Sequence, residues 1–184
     1  MIKEKTNVLG CMEIRLKRYY GDGAVTKSVM EVWMDGEGMP RMVCEAREGA
    51  YRDYRETFAG VSEFCLPAGR WRMKVGRSPY GVMGLRVPRC PGHRQVFVGH
   101  RWSRQMWAGE VLIGEAVMPR EWNVEEWGDD AVARERWERK VRRIENGEEV
   151  FGRLTVLVYE AFGRGEEFWM VVENEGMECV DGGE

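Results

Sequence analysis

The stretch KSVMEVWMDGEGMPRMVCEAR, residues 27–47, decides the fold. Val29, Glu31 and Trp33 alternate with Met30, Val32 and Met34, which is the two-residue period of a strand with one face buried. DGEGMP then gathers aspartate, glycine and proline, the residues that turns require, and MVCEAR resumes the alternation. The expectation is a β-hairpin. Upstream, MEIRLKRYY sets Ile14, Leu16 and Arg18 against Glu13, Arg15 and Lys17 and runs into the turn signal GDG. Downstream, Pro67 and Gly69 precede a strand from Arg70 to Val75 in which Trp71, Met73 and Val75 share a face. GLRVP, RQVFVGH and EVLIGEAV read as further strands.

After Pro119 the period changes. From Asp129, Ala133, Trp137, Val141 and Ile144 recur at helical intervals, with Asp129 or Asp130 as a cap and Asn146-Gly147 as the stop. LTVLVYEAF and EEFWMVVENE then read as a closing pair of strands around GRG. The fold class expected is α+β and mostly β, a single domain of antiparallel strands, sheet or barrel-like, with one C-terminal helix packed on it. Residues 1–11 are expected to form a tail and residues 12–178 the domain. Within it, 12–118 are the core and 119–178 a helix-plus-hairpin extension, with 179–184 a disordered tail.

The 184 residues can enclose a sizeable core. With 28 Lys and Arg against 31 Asp and Glu, the net charge of −3 gives no electrostatic reason to expect a nucleic-acid partner. No apolar run approaches the roughly 18 residues of a membrane-spanning helix. Five cysteines without a repeated spacing argue against a disulfide framework and for reduced thiols in a cytoplasm. VLGC, at 8–11, has the form of a lipoprotein cleavage box but lacks the apolar run that a signal needs, so it reads as a chance match. Either Met1 or Met12 can be the start.

The segments from Met12 to Val117 together resemble an uncharacterised bacterial and phage domain family. The likeness is carried by MEIRLKRYYGDG, SVMEVWMDG, MVCEARE, LPAGRWRMKV, LRVP and GEVLIGEAV, with PAGRW the most specific piece. That family has an IPAGRY-like turn, and its histidine and GCILVG-like strand are similar to the signature of the L,D-transpeptidases, which work through a cysteine acyl-enzyme. The resemblance implies a nucleophile at the second position of GEVLIG, where this chain has Glu110. It implies a histidine at Gly99, or at His100 with one insertion. A carboxylate cannot replace a thiolate here, because its acyl product would be a reactive anhydride. The resemblance therefore points to a pseudoenzyme, a non-catalytic binding or interaction module, with an unknown protein or a cell-wall fragment as its ligand.

The alternative is a hydrolase or transferase acting on cell-wall peptides or glycans through a rearranged set of groups. Cys90, in RCPGH, stands three residues before His93 and could pair with it as nucleophile and base. Catalytic candidates are thus His100, Glu110, Cys90 and His93. Glu45, Glu110 and Glu115 are the carboxylates from which a glycosidase pair could be drawn. With only two histidines and no second Cys-x-x-His or Cys-x-x-Cys pair, no metal site is expected. GDG and DGEG lack the context of a phosphate loop, and no cofactor is expected. Arg101, Trp102, Arg104 and Trp107 have the basic and aromatic character of a ligand-binding surface.

Overall fold

The computed structural model describes residues 10–21, 25–49, 51, 65–77, 83–90, 96–100, 110–116, 144–174 and 176–179. Its strands are β1 (Cys11–Gly21), β2 (Thr26–Trp33), β3 (Met42–Glu48), β4 (Gly69–Arg77), β5 (Met83–Val87), β6 (Val96–Gly99), β7 (Glu110–Ala116), β8 (Ile144–Glu145), β9 (Glu167–Glu173) and β10 (Glu178–Cys179). One helix, α1 (Gly147–Gly163), is found among the described residues. Eight strands run β1-β2-β3-β7-β6-β5-β4-β9, and β9 pairs back onto β1, so the sheet closes into a barrel. Most neighbours are antiparallel, whereas β1 with β9 and β6 with β7 are parallel. The expected hairpin is β2–β3, in register from Thr26 opposite Glu48 to Val32 opposite Met42.

An eight-stranded barrel has an interior just wide enough for side chains to fill. The inward phase of each strand supplies them. Trp71, Met170, Ile14, Val32 and Met42 are successive cross-strand partners, forming one layer around much of the wall. Ile14, Val32, Met42 and Met170 in that layer are buried, as is Met73, while Trp71 and Val75 are half-buried at the wall. The indole nitrogen of Trp71 donates to the carbonyl of Pro67 at 3.0 Å, tying the PAGRW turn to the stave it introduces.

The helix lies elsewhere than the sequence suggests. LTVLVYEAF, expected as a strand, is the body of α1, and Asn146-Gly147, expected as a helix stop, is its start. Val150, Leu154, Val158 and Ala161 form the buried stripe at intervals of four, four and three, and this spacing outweighs the β-branched character of the segment. Gly147 sits where a side chain would come within 3.0 Å of the carbonyl oxygens of His100 and Ile113, so the helix begins hard against β6 and β7. At the other end Gly165, with φ of 73°, completes a Schellman closure: Glu166 N–H donates to Ala161 and Gly165 N–H to Phe162. Ile144 and Glu145, the expected end of the earlier helix, are strand β8, and residues 129–143 lie outside the described residues. Strand β10 reaches Cys179, one residue into the segment expected as a tail, and 180–184 are likewise outside.

One barrel end is closed by α1. The other is closed by charge. Arg18 continues the inward phase of β1 and is buried, with its guanidinium forming two bonds to the Glu48 carboxylate, at 2.9 and 2.6 Å. It also donates to Asn174 and to the carbonyl of Leu66, while Leu66 N–H donates to Glu48. Burial opposes the Arg18 charge, but the Glu48 carboxylate outweighs it and holds the guanidinium pKa above its ordinary value. The pair thus pins the segment at Leu66 across the barrel mouth.

Breaking one side of this pair should be costly and replacing both should not. Arg18→Ala is expected to lose about 3 to 5 kcal/mol in urea unfolding, because Glu48 is left charged and buried. The double variant Arg18→Met with Glu48→Leu is expected to recover most of that loss.

Candidate functional site

The outward phase of β4, β9, β1 and β2 builds a continuous surface of tryptophan, arginine and glutamate. Arg72, Trp169, Glu13 and Trp33 are successive cross-strand partners in one row, and Arg70, Val171, Arg15, Glu31 and Val43 form the next. The Arg70 guanidinium lies 4.3 Å from the centre of the Trp169 ring system, with Arg72 at 6.0 Å, and Arg15 lies 4.6 Å from that of Trp33. Planar guanidinium groups on indole faces are favourable cation–π contacts.

Glutamates fix the edges of this array. Glu13 accepts from Arg15 at 2.7 Å and pairs with Arg70 at 3.5 Å. Glu167 accepts from Arg72 at 2.6 Å and from the Trp169 indole at 3.2 Å. Glu31 accepts from Lys17 at 2.8 Å and from the Trp33 indole at 2.9 Å. Burial works to raise the Glu31 pKa, but the Lys17 and Trp33 hydrogen bonds outweigh it and hold the carboxyl below its ordinary value. Each indole is therefore held at both its face and its edge. The result is a preorganised surface, and Trp and Arg are the residues that most often anchor an interface.

Sequence reasoning missed this surface because its members are scattered over residues 13–169 and each is a single outward position on its own strand. The available signal was phase. Trp33 and Trp169 alternate with residues of the buried set, Val32, Met34 and Met170, so their rings had to face out.

Of the expected catalytic candidates, Glu110 and His100 stand apart along the sheet. His93 lies outside the described residues, as do Arg101, Trp102, Arg104 and Trp107. Glu110 opens β7 beside Phe97 of the parallel strand β6, and His100 follows that strand three residues further on, about 10 Å along the sheet. The His100 ring packs on Phe151 of α1, with centroids 5.0 Å apart. Glu45, on the outward phase of β3, bonds Tyr19 and the buried Arg47, whereas Glu115, which accepts from Asn146 at 2.6 Å, follows Gly114, the residue paired with Glu45, and so has the opposite phase. Glu45 and Glu115 do not face each other.

The thiols have their own electrostatics. Cys90 is buried, and that burial, with the Glu48 carboxylate adding to it against Arg18, pushes its pKa up to about 12. Cys44 is pushed up to about 12 by burial and Glu45. Burial, with Glu13 and Asp35, also raises Cys11. Such groups are thiols at neutral pH, and the thiolate is the nucleophilic form.

No family model, curated protein or solved structure matches the chain in comparisons with known proteins. Among the described residues, no helix is long and apolar enough to cross a membrane.

Two measurements check this site. In the native protein, Cys44 and Cys90 should alkylate with iodoacetamide at pH 7.5 far more slowly than after urea unfolding, as peptide mapping of the modified residues would read. For Glu31, a depressed folded pKa contributes stability that is fully present above the unfolded value, about 4.3, and is lost as pH falls through the folded pKa. Glu31→Gln should therefore lower Tm at pH 7 and lessen the decline of Tm on acidification. A parallel shift at every pH would remove Glu31 from that role.

Proposed function

We propose that this chain is a non-catalytic binding module of the cytoplasm, diverged from a transpeptidase-like domain, that holds a protein or cell-wall-fragment ligand on tryptophan–arginine surfaces of its barrel wall. The observation that carries the reading is the burial of Cys90, the candidate nucleophile, in the core. A cysteine acyl-transfer enzyme needs a thiolate, and burial holds Cys44 and Cys90 as neutral thiols. Glu110, where the resemblance implies the nucleophile, supplies a carboxylate that cannot take over that step. The Trp33 and Trp169 array supports the binding half of the reading, since its rings and charges are oriented before any ligand arrives, which lowers the cost of association. Cys11, Cys44, Cys65 and Cys90 are held in no disulfide, which suits a reducing compartment.

The test is intact-mass spectrometry after incubation with a β-lactam and with a stem-peptide thioester, alongside a fluorescence titration with soluble muropeptides. No covalent adduct is expected. A saturable change in tryptophan emission that is lost in Trp169→Ala would assign the cell-wall fragment, and its absence would assign the protein ligand. An adduct on any native cysteine would overturn the reading in favour of a hydrolase or transferase.

A further inference from the structure

Helix α1 has a second face that the barrel does not use. Opposite the buried stripe lie Gly152, Arg153, Val156, Tyr159, Glu160 and Gly163, all exposed, with Val156 at 58% and Tyr159 at 57%. Phe162, at 61%, borders this face and, with Tyr159 and Met83, rims an apolar cleft floored by Leu85 and Leu154. Exposed apolar residues grouped on one helix face, rather than scattered singly, mark an interaction surface.

From the charges on this face we infer that its occupant is a second copy of the same chain, with the two α1 helices packed antiparallel about a two-fold axis. Arg153 and Glu160 are equidistant from a point between Val156 and Leu157, and so are Glu149 and Arg164. An axis through that point brings each Arg153 to the partner's Glu160 and each Glu149 to the partner's Arg164, whose Nε already meets Glu166. A two-fold contact requires this kind of self-complementarity, in which residue i meets j and j meets i. A parallel arrangement would instead set Arg153 against Arg153. The antiparallel one also places the acidic first turn, Glu148 and Glu149, near the end of the partner's helix that carries Arg164. Gly152 and Gly163 have no atom within 4 Å of where a Cβ would stand, so the facing backbones can approach closely. The barrel wall is closed, and self-association through this helix needs no open sheet edge. A single helix face falls at the small end of specific interfaces, so the dimer is weak and reversible.

Sedimentation equilibrium of the full chain from micromolar to several hundred micromolar tests the inference. The wild type should pass from monomer towards dimer, and Val156→Asp should stay monomeric with an unchanged circular dichroism spectrum. Arg153→Glu and Glu160→Arg should each weaken dimerisation by about tenfold or more, since each sets like charges together. Mixing these two single variants should restore association as a heterodimer, and the double reversal should restore the homodimer. A wild type that stays monomeric throughout would overturn the proposal, as would a dimer indifferent to Val156→Asp or single variants that fail to recover on mixing. Because the readout is mass alone, this result is independent of whether the barrel wall binds a ligand.

Discussion

The pairing of β9 with β1 is the constraint on which the rest of the structure depends. Seven residues of β1, Cys11 to Lys17, match seven of β9, Glu167 to Glu173, in parallel, and this joint turns a sheet into a closed wall. Closure makes the interior a volume of fixed size, so Ile14, Val32 and Met170 interdigitate, and the outward residues between them become a continuous surface. A parallel joint cannot be made by a tight hairpin from the preceding strand. Helix α1 runs into β9 through the Schellman turn at Gly165 and feeds that closing stave into its place. The same residues that cap the core thereby deliver the stave that completes it.

The two barrel ends are closed by opposite means. Val150, Leu154, Val158 and Ala161 seal one with apolar packing. At the other, Arg18 and Glu48 neutralise each other and bind the backbone at Leu66. An apolar plug needs only the right volume, whereas the charged one requires its partners at fixed geometry. Neighbouring Cys90 takes its character from this: it lies close enough to feel both charges and remains an uncharged thiol.

Much of the wall was legible because period two is a strong signal when one face is buried. Residues 12–20 and 27–47, and the alternating Trp71, Met73 and Val75, read directly as strands, and even Arg18 fell on the inward phase, although the partner that makes this tolerable, Glu48, is thirty residues away. The C-terminal third was misread where two periods fit one segment. LTVLVYEAF alternates acceptably as a strand, while Leu154, Val158 and Ala161 within it also fit a helical stripe that Val150 extends. The left-handed Asn146 suits the end of a helix as well as the turn that starts one. Of the candidate site, single residues were visible but not their neighbours. Trp33 meets Glu13 through the pairing of the consecutive strands β1 and β2, but nothing local says that Trp169 lies on its other side, because that adjacency arises from the barrel's closure.

That closure also decides how the molecule carries force. Strand β1 begins at the end of the barrel where β9 begins, so the described chain enters at Cys11 and leaves β9 at Glu173, at opposite ends of one parallel pair. Tension applied between those two points runs along the strands and loads the hydrogen bonds of the joint together, in shear. They must yield as a group rather than open one after another from an edge. The same seam that makes the interior a fixed volume thus makes the barrel wall stiff along the line joining its first and last staves.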